Sequence, residues 1–348
     1  MDFNQTIQSI EEIDLLAQKL CKERWDRIAK PLSSLGKLED GIIQIAGIMG
    51  TSNVKLDKKA LVIMCGDNGV VEEGVTQSGQ EITALVAENF LTMNSCVCIM
   101  AQQIGVQVFP IDIGIARDTK LIQKKIAYGT QNMRKGPAMS REQAMEAVEV
   151  GIHTVEELKQ DGFQIIATGE MGIGNTTTSS AIASVLLDIP VEEVTGPGAG
   201  LSKEGVLHKI KVIQDSILRN QPDKKDPIDV LAKVGGFDIA GLVGIYLGGA
   251  ALKIPIVMDG FISSVAALLA IKIEPKVKQY IICSHVSKET AGQLMLDAIG
   301  VTPYLTCNMC LGEGTGAVGV FPILEMGLAV YTKMSTFEEN EMEAYQPL

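Results

Sequence analysis

The stretch FQIIATGEMGIGNTTTSSAI, residues 163–182, decides how the chain is organised. FQIIAT (163–168) is an unbroken apolar run that suits a strand buried on both faces. GEMGIG reads as a glycine turn, and NTTTSSAI as the start of a helix. Gly169-x-x-x-x-Gly174-Asn175-Thr176 has the outline of a phosphate-binding loop, with Asn175 where a nucleotide triphosphatase has lysine. That lysine reaches the terminal phosphates of a nucleotide, so its absence argues against triphosphate chemistry. What remains is a helix N-terminus, with N–H groups at Ile173 to Thr176, Gly172 and Gly174 admitting close approach, and hydroxyls on Thr176 and Thr177. This suits one phosphate monoester. A helix merely capped after a tight turn would leave the same signature.

Similar runs recur at ALVIMC (60–65), VQVFPI (106–111), PIVM (255–258) and YIIC (279–282), separated by longer helical stretches. The alternation predicts an α/β fold, doubly wound and Rossmann-like, with a mostly parallel sheet. Several runs end in an ionisable residue: Asp67, Asp112, Glu170, Asp259 and His285. In open α/β sheets the ligand crevice lies outside the carboxyl ends of the strands, so these groups are candidates for a site. Toward the N-terminus, Ile7, Ile10, Ile13, Leu16 and Leu20 recur at helical spacing, then Leu38, Ile42, Ile45 and Ile48, with PLSSLGK (31–37) between. These helices have no strand partner nearby. Residues 1–55, with about 315–348, are therefore expected to form a smaller helical domain, leaving 56–314 as the large α/β domain. The acidic end, STFEENEMEAYQPL, reads as a solvated tail.

Two further loops carry glycines into helices. GPGAGLSKEG (196–205) offers Gly198, Ala199 and Gly200, with Lys209 about a turn inside the helix that follows. LGEGTGAVG (311–319) sets Glu313 between Gly312 and Gly314, ahead of Thr315 and Gly316. A carboxylate on a glycine loop suits a general base, although a first-turn glutamate also stabilises a helix dipole.

Composition narrows the partners. The 348 residues carry a net charge of −12, which argues against nucleic acid or an anionic membrane surface. A small anion remains compatible, because backbone N–H groups bind it without a basic surface. The apolar run IAGLVGIYLGGAAL (239–252) is too short and glycine-rich to span a bilayer, and the acidic N-terminus lacks the pattern of a secretory signal. Seven cysteines without such a signal read as reduced thiols in a cytoplasm. Cys307-x-x-Cys310 has no second pair at metal spacing and the three histidines are scattered, so no metal or cofactor is expected. Lys120, Lys124, Lys125, Arg134 and Lys135 read as solvated surface.

GEMGIGNTT, GPGAGL, KVGGFDIAG (233–241), MDGFISSVAAL (258–268), SHVSKE (284–289) and LGEGTGA, with PLSSLGKLE, GDNGV and GPAMS (136–140), run in order over nearly the whole chain. In this the sequence resembles the nicotinate-nucleotide:dimethylbenzimidazole phosphoribosyltransferase family. The resemblance implies a dimeric enzyme with a parallel α/β core and a small helical domain. Such an enzyme transfers phosphoribose from nicotinate mononucleotide to a nitrogen base, making the α-ribazole phosphate of cobamide lower ligands. It also implies that Glu313 is the catalytic glutamate, and that the 5′-phosphate is held by the Gly174–Thr176 turn, Lys209 and Ser287. Glu170 would stabilise charge on the ribose or hold its loop. A leaving pyridinium removes the need for the Mg²⁺ that ribosyl pyrophosphate donors require.

The segment GVTQSGQEITALVAENF (74–90) departs from the family pattern. Many members carry an aromatic residue or proline near Ser78–Gly79, and commonly a glutamine just after the threonine matching Thr83. Here Ser78, Gln80, Leu85 and Val86, with Leu311, are expected to line the acceptor pocket. Losing a buried amide removes a partner for a ring nitrogen and makes the pocket more apolar. The expected acceptor is therefore dimethylbenzimidazole or a phenol. A different expectation is a paralogous subunit, structural rather than catalytic, that pairs with an active homologue; the dimer would be homo- or heteromeric accordingly.

Overall fold

The computed structural model describes residues 1–345. Its six strands are β1 (Lys59–Gly66), β2 (Val106–Gly114), β3 (Ile122–Gln123), β4 (Ile165–Met171), β5 (Ile256–Met258) and β6 (Ile281–Cys283). All pair in parallel, in the order β3-β2-β1-β4-β5-β6. The order reverses between β1 and β4, the switch point beside which doubly wound sheets bind ligands.

The helices are α1 (Phe3–Ser9), α2 (Leu15–Arg27), α3 (Lys37–Met49), α4 (Glu81–Leu91), α5 (Cys96–Gln103), α6 (Arg141–Gln160) and α7 (Asn175–Leu187). They continue with α8 (Val191–Val194), α9 (Lys203–Asn220), α10 (Pro227–Val234), α11 (Phe237–Ala251), α12 (Phe261–Ile273), α13 (Gly292–Ile299) and α14 (Thr315–Lys333). Side chains alternate across the sheet with the two-residue period of a strand. Leu61, Ile63 and Cys65 of β1 join a core with α2 to α5 and α14. Ala60, Val62 and Met64 join the opposite core, built from α6, α7 and α10 to α13.

The helical segments at the two ends of the chain are divided between these layers. The continuous apolar periodicity from Ile7 to Leu20 breaks over residues 10–14, because Asp14 accepts a hydrogen bond from Ala17 N–H (2.9 Å) and starts α2 afresh. Helix α1 lies against α6 and α11, with the Met1 ammonium on Glu156 (2.6 Å), whereas α2 packs on α3 across the sheet. Between them the chain straps over the segment preceding β6: Tyr280 donates to Glu11 O (3.0 Å), and Gln279 accepts from Ile13 N–H (3.1 Å). Gln44 of α3 donates to the carbonyls of Gln279 and Ile281, each at 3.0 Å. Helix α14 places Val318, Phe321 and Leu324 in the same core as Leu61 and Ile63, so α2, α3 and α14 share that interior with the sheet while α1 joins the opposite one.

Two surface readings are corrected. The C-terminal segment is anchored, not solvated, at its start: Phe337 is buried, its N–H donates to Arg27 O (2.9 Å), and Thr336 bridges Ile28. The last part of that expected tail, 346–348, lies outside the described residues. The basic stretch after residue 119 contains β3, which is too short to leave a periodic signal. Its Lys125 is largely buried against Asp112 (2.8 Å), while Arg134 bridges Glu73 (2.6 Å) and Asp215 (2.9 Å).

Helix α11 is buried along nearly its whole length, and glycines let it touch α6 backbone to backbone. A Cβ on Gly244 would stand 1.9 Å from Val148 O, and one on Gly151 would stand 2.1 Å from Gly241 O. Gly244→Ala is expected to destabilise the protein by ~1–3 kcal/mol, as overpacking of a tight core does. The urea midpoint measures this; Gly136→Ala, where a Cβ meets open space, should leave it unchanged.

Candidate active site

A cavity of about 320 Å³ opens at the carboxyl ends of β4, β5 and β6, large enough for a small-molecule substrate. Of the residues expected from the sequence, Ser78, Val86, Glu170, Gly172, Gly174, Asn175, Thr176, Gly198, Ala199, Ser287, Leu311, Gly312 and Glu313 line it. Asp259 and His285, at the ends of β5 and β6, line it as well. Asp67 and Asp112 are engaged elsewhere, the first by Ala116 N–H (2.8 Å) and the second by Lys125.

One end of the cavity is formed by the turn into α7 and the Gly196–Gly200 loop. Gly174, with φ +91°, turns the chain into α7 through a left-handed conformation that glycine adopts without steric penalty. Two of the N–H groups read as free are already taken: Ile173 donates to Thr83 Oγ1 (3.0 Å) and Asn175 to Gly172 O (3.1 Å). Thr176 N–H has no partner among the described residues. Lys209 of α9 is buried beneath the Gly196–Gly200 loop, just behind the cavity wall, and donates to Thr176 Oγ1 (2.8 Å) and Gly196 O (3.3 Å). Burial pushes its pKa down to about 8, against the upward pull of Glu289. Both hydrogen-bond partners are neutral, whereas buried charges are ordinarily paired with opposite ones. The Lys209 charge is thus left without an opposite one in hydrogen-bond contact; a Cβ on Gly198 would crowd Thr176 Oγ1 at 2.9 Å.

The other end holds Glu313. It sits at φ +61° between Gly312 (+87°) and Gly314 (+90°). Asp259 fixes this turn by accepting the N–H groups of Gly314 (3.2 Å), Gly316 (2.8 Å) and Ala317 (3.0 Å). The Glu313 Oε2 is buried and has no hydrogen-bond partner among the described residues. Burial raises the pKa of its carboxyl, Val97 N–H opposes the rise, and Asp259 adds to it. A desolvated carboxylate with an unused oxygen is set up to accept a proton.

Between the two ends lies a carboxyl network. The Asn175 amide donates to Glu170 and to Asp238 Oδ2 (3.1 Å), so the residue in the lysine position ties two acids together. Glu170 is pushed up to about 8 by burial and then by the Asp238 and Asp259 carboxylates, with Asn175 opposing. Burial likewise raises Asp238 to about 7. A Glu170 that stays mostly protonated at neutral pH holds its loop better than it stabilises positive charge. Asp238 stood unremarked within GGFD, because an acid in a helix's first turn is ordinarily a dipole or capping residue.

Seven expected residues stand back from the cavity. Lys209 acts through Thr176, as described. Leu85 is half exposed and Gln80 lies outside the wall; the helical period instead turns Ile82 and Val86, four apart, toward the cavity. Gly200 backs onto Gln77, Thr315 donates to Gly312 O (2.9 Å), Gly314 gives its N–H to Asp259, and Gly316 lies under the His285 ring.

Fold, cavity and matches to known proteins together define a phosphoribosyltransferase. A family model described as phosphoribosyltransferase matches residues 10–342. The nicotinate-nucleotide–dimethylbenzimidazole phosphoribosyltransferase of Acetivibrio thermocellus is 47% identical over 99% of both chains, and that of Clostridium acetobutylicum is 47% identical over 100% of both. The crystal structure of CobT from Thermus thermophilus superposes with a TM-score of 0.89 at 34% identity, covering 95% of this chain and 100% of that one. The chain belongs to the nicotinate-nucleotide–dimethylbenzimidazole phosphoribosyltransferase family.

The network makes stability depend on pH. Glu170 and Asp238 have raised folded-state pKa values, so the unfolded chain gives up these protons first and stability falls as pH rises from roughly 4 to about 8. Melting temperatures at pH 5.5 and 8 should show the fall, and Glu170→Gln should flatten it. An unchanged slope in the variant would mean that Glu170 ionises normally.

Proposed function

We propose that the protein transfers phosphoribose from nicotinate mononucleotide to an aromatic acceptor, dimethylbenzimidazole or a phenol, releasing nicotinate for cobamide biosynthesis. One observation carries this reading: the unpartnered Glu313 oxygen and the Thr176–Gly198 cradle backed by Lys209 face the same cavity. The cradle takes the 5′-phosphate. Nicotinate, bound through its ring nitrogen as a pyridinium, leaves C1′ with the bonding electron pair and needs no protonation. The acceptor attacks C1′ from the opposite face, so the β-linkage becomes α, and Glu313 takes the acceptor's proton. Holding both reactants in line supplies much of the rate, up to roughly 7–11 kcal/mol for well-oriented partners. Ile82 and Val86 give the acceptor an apolar wall without an amide, which favours admitting a phenol beside the benzimidazole.

The seven free cysteines agree with a cytoplasmic setting. Exposed Leu85, Leu91 and Ile99 on α4 and α5 offer a face for pairing with itself or a paralogue.

Nicotinate release and product mass, with dimethylbenzimidazole in one reaction and phenol in another, test the reaction and rank the acceptors. Release with neither, despite binding of the nucleotide, would favour the structural-subunit reading. Glu313→Gln should lower kcat by about 10²–10⁴-fold, the range for removing a general base, while nicotinate mononucleotide still raises its melting temperature. Equal turnover in the variant would exclude Glu313 as the base.

Lys209 supplies a second signature. Its cationic form is lost as pH rises through about 8, and a bound phosphate raises its pKa. Affinity for nicotinate mononucleotide should therefore weaken above pH 8, with proton uptake on binding that calorimetry in two buffers detects. Lys209→Met should abolish that uptake.

A further inference from the structure

His285 follows β6, is buried, and lines the cavity with one edge of its ring. Its hydrogen bonding fixes which nitrogen is which. The Ser284 hydroxyl donates its only proton to Met258 O, so towards His285 Nδ1, 3.1 Å away, Ser284 Oγ can only accept. Nδ1 therefore carries a hydrogen. The Asp259 carboxylate lies on the same side, with Oδ1 3.9 Å from Nδ1, and that oxygen is already committed to Gly316 and Ala317 N–H groups. In the neutral ring Nε2 is then the acceptor, and no donor among the described residues meets it. The ring is held between glycines: a Cβ on Gly316 would fall 1.9 Å from Nδ1, and one on Gly260 would fall 3.4 Å from Nε2.

Position then limits what Nε2 can meet. His285 is two residues before Ser287, which lines the cavity and to which the family resemblance gives a 5′-phosphate contact, and its ring lies on Gly316, three residues after Glu313. It stands between cradle and base, where the ribosyl ring lies when the phosphate and C1′ occupy the two ends. Phosphate and nicotinate carboxylate oxygens offer only lone pairs, which an acceptor nitrogen repels. The acceptor's N–H or O–H is directed to Glu313, which leaves the donor's ribosyl hydroxyls as the groups with hydrogens to give.

Resting on the reading that the donor is a phosphoribosyl nucleotide, we propose that His285 is a substrate-binding residue whose Nε2 accepts a hydrogen bond from a ribosyl hydroxyl and so discriminates ribosyl from deoxyribosyl donors. His285→Asn can keep a donor toward Ser284 while removing the acceptor at the Nε2 position; His285→Gln can return an amide oxygen near it. The test pairs these variants with nicotinate mononucleotide and its 2′-deoxy and 3′-deoxy analogues, after melting curves establish that each variant is folded. For the wild type, kcat/KM should fall about tenfold with one of the two analogues, the worth of one hydrogen bond. His285→Asn should lose about as much with the natural donor and nothing further with that analogue, and His285→Gln should recover part of the loss. Losses that multiply for both analogues would assign His285 a structural role and overturn the proposal. Calorimetric Kd values for the same three ligands give the same cycle without turnover. A protein that binds but releases no nicotinate would thus fail the proposed transfer and still decide the role of His285, whereas absence of binding would overturn both.

Discussion

Three backbone N–H groups of the turn into α14 and its first residues converge on the carboxylate of Asp259, and the site is built around that convergence. Asp259 stands at the carboxyl end of β5, so the bonds join the sheet to the start of a helix more than fifty residues later. Hydrogen bonds to a charged group contribute about 1.5–3 kcal/mol each, more than the roughly 1–2 kcal/mol that a left-handed conformation costs a residue such as Glu313. The strained turn is thereby held, and Glu313 faces the cavity with an oxygen that nothing else satisfies. The sheet also presses close from beneath: a side chain at Gly169 would strike the Glu313 carbonyl at 2.5 Å.

The turn into α7 solves a different problem. A P-loop brings its lysine on the loop itself, but here that position is an asparagine whose amide is spent on two buried acids. The positive charge comes instead from α9, which threads Lys209 to the same threonine from behind. Separating the cation from the loop leaves the turn free to bind through neutral groups. It also lets Glu170 and Asp238 sit immediately below without a permanent ion pair.

The sequence made the scaffold legible because strands buried on both faces are largely apolar, as ALVIMC is throughout and FQIIAT is apart from Gln164 and Thr168. Of the ionisable residues closing the strand runs, Glu170, Asp259 and His285 mark the cavity while Asp67 and Asp112 are turned to other partners, and Glu313 and Thr176 lie where their glycines placed them. What stayed hidden depends on partners distant in the chain. Nothing local distinguishes Ile82 and Val86 from Leu85 until the helix they share is docked. Strand β3 is two residues long and is held by the pairing of Lys125 with Asp112, which no periodicity records. The helix break near residue 12 follows from Asp14 capping α2, a signal masked by apolar residues that continue at helical spacing, although Leu16 and Leu20 are exposed and α2 buries Ala17, Cys21 and Trp25 instead. The tautomer of His285 required a hydroxyl whose own proton is fixed by a carbonyl on the neighbouring strand.

The borders of the sheet have a consequence for how this chain meets other chains. At one border β6 presents a backbone carbonyl already bonded by Gln44, with the strap of residues 10–14 drawn over the segment that leads into it. At the other, β3 offers two residues and covers only Ile111–Asp112 of β2, leaving Val106–Pro110 as a short edge whose last residue, a proline, has no N–H. Neither border supplies the long row of open amides that an incoming strand would need. Among the described residues, self-association is therefore steered to helix faces and loops, and the ladder-by-ladder growth that turns exposed sheets into fibrils finds at most the short edge of β2 as a template.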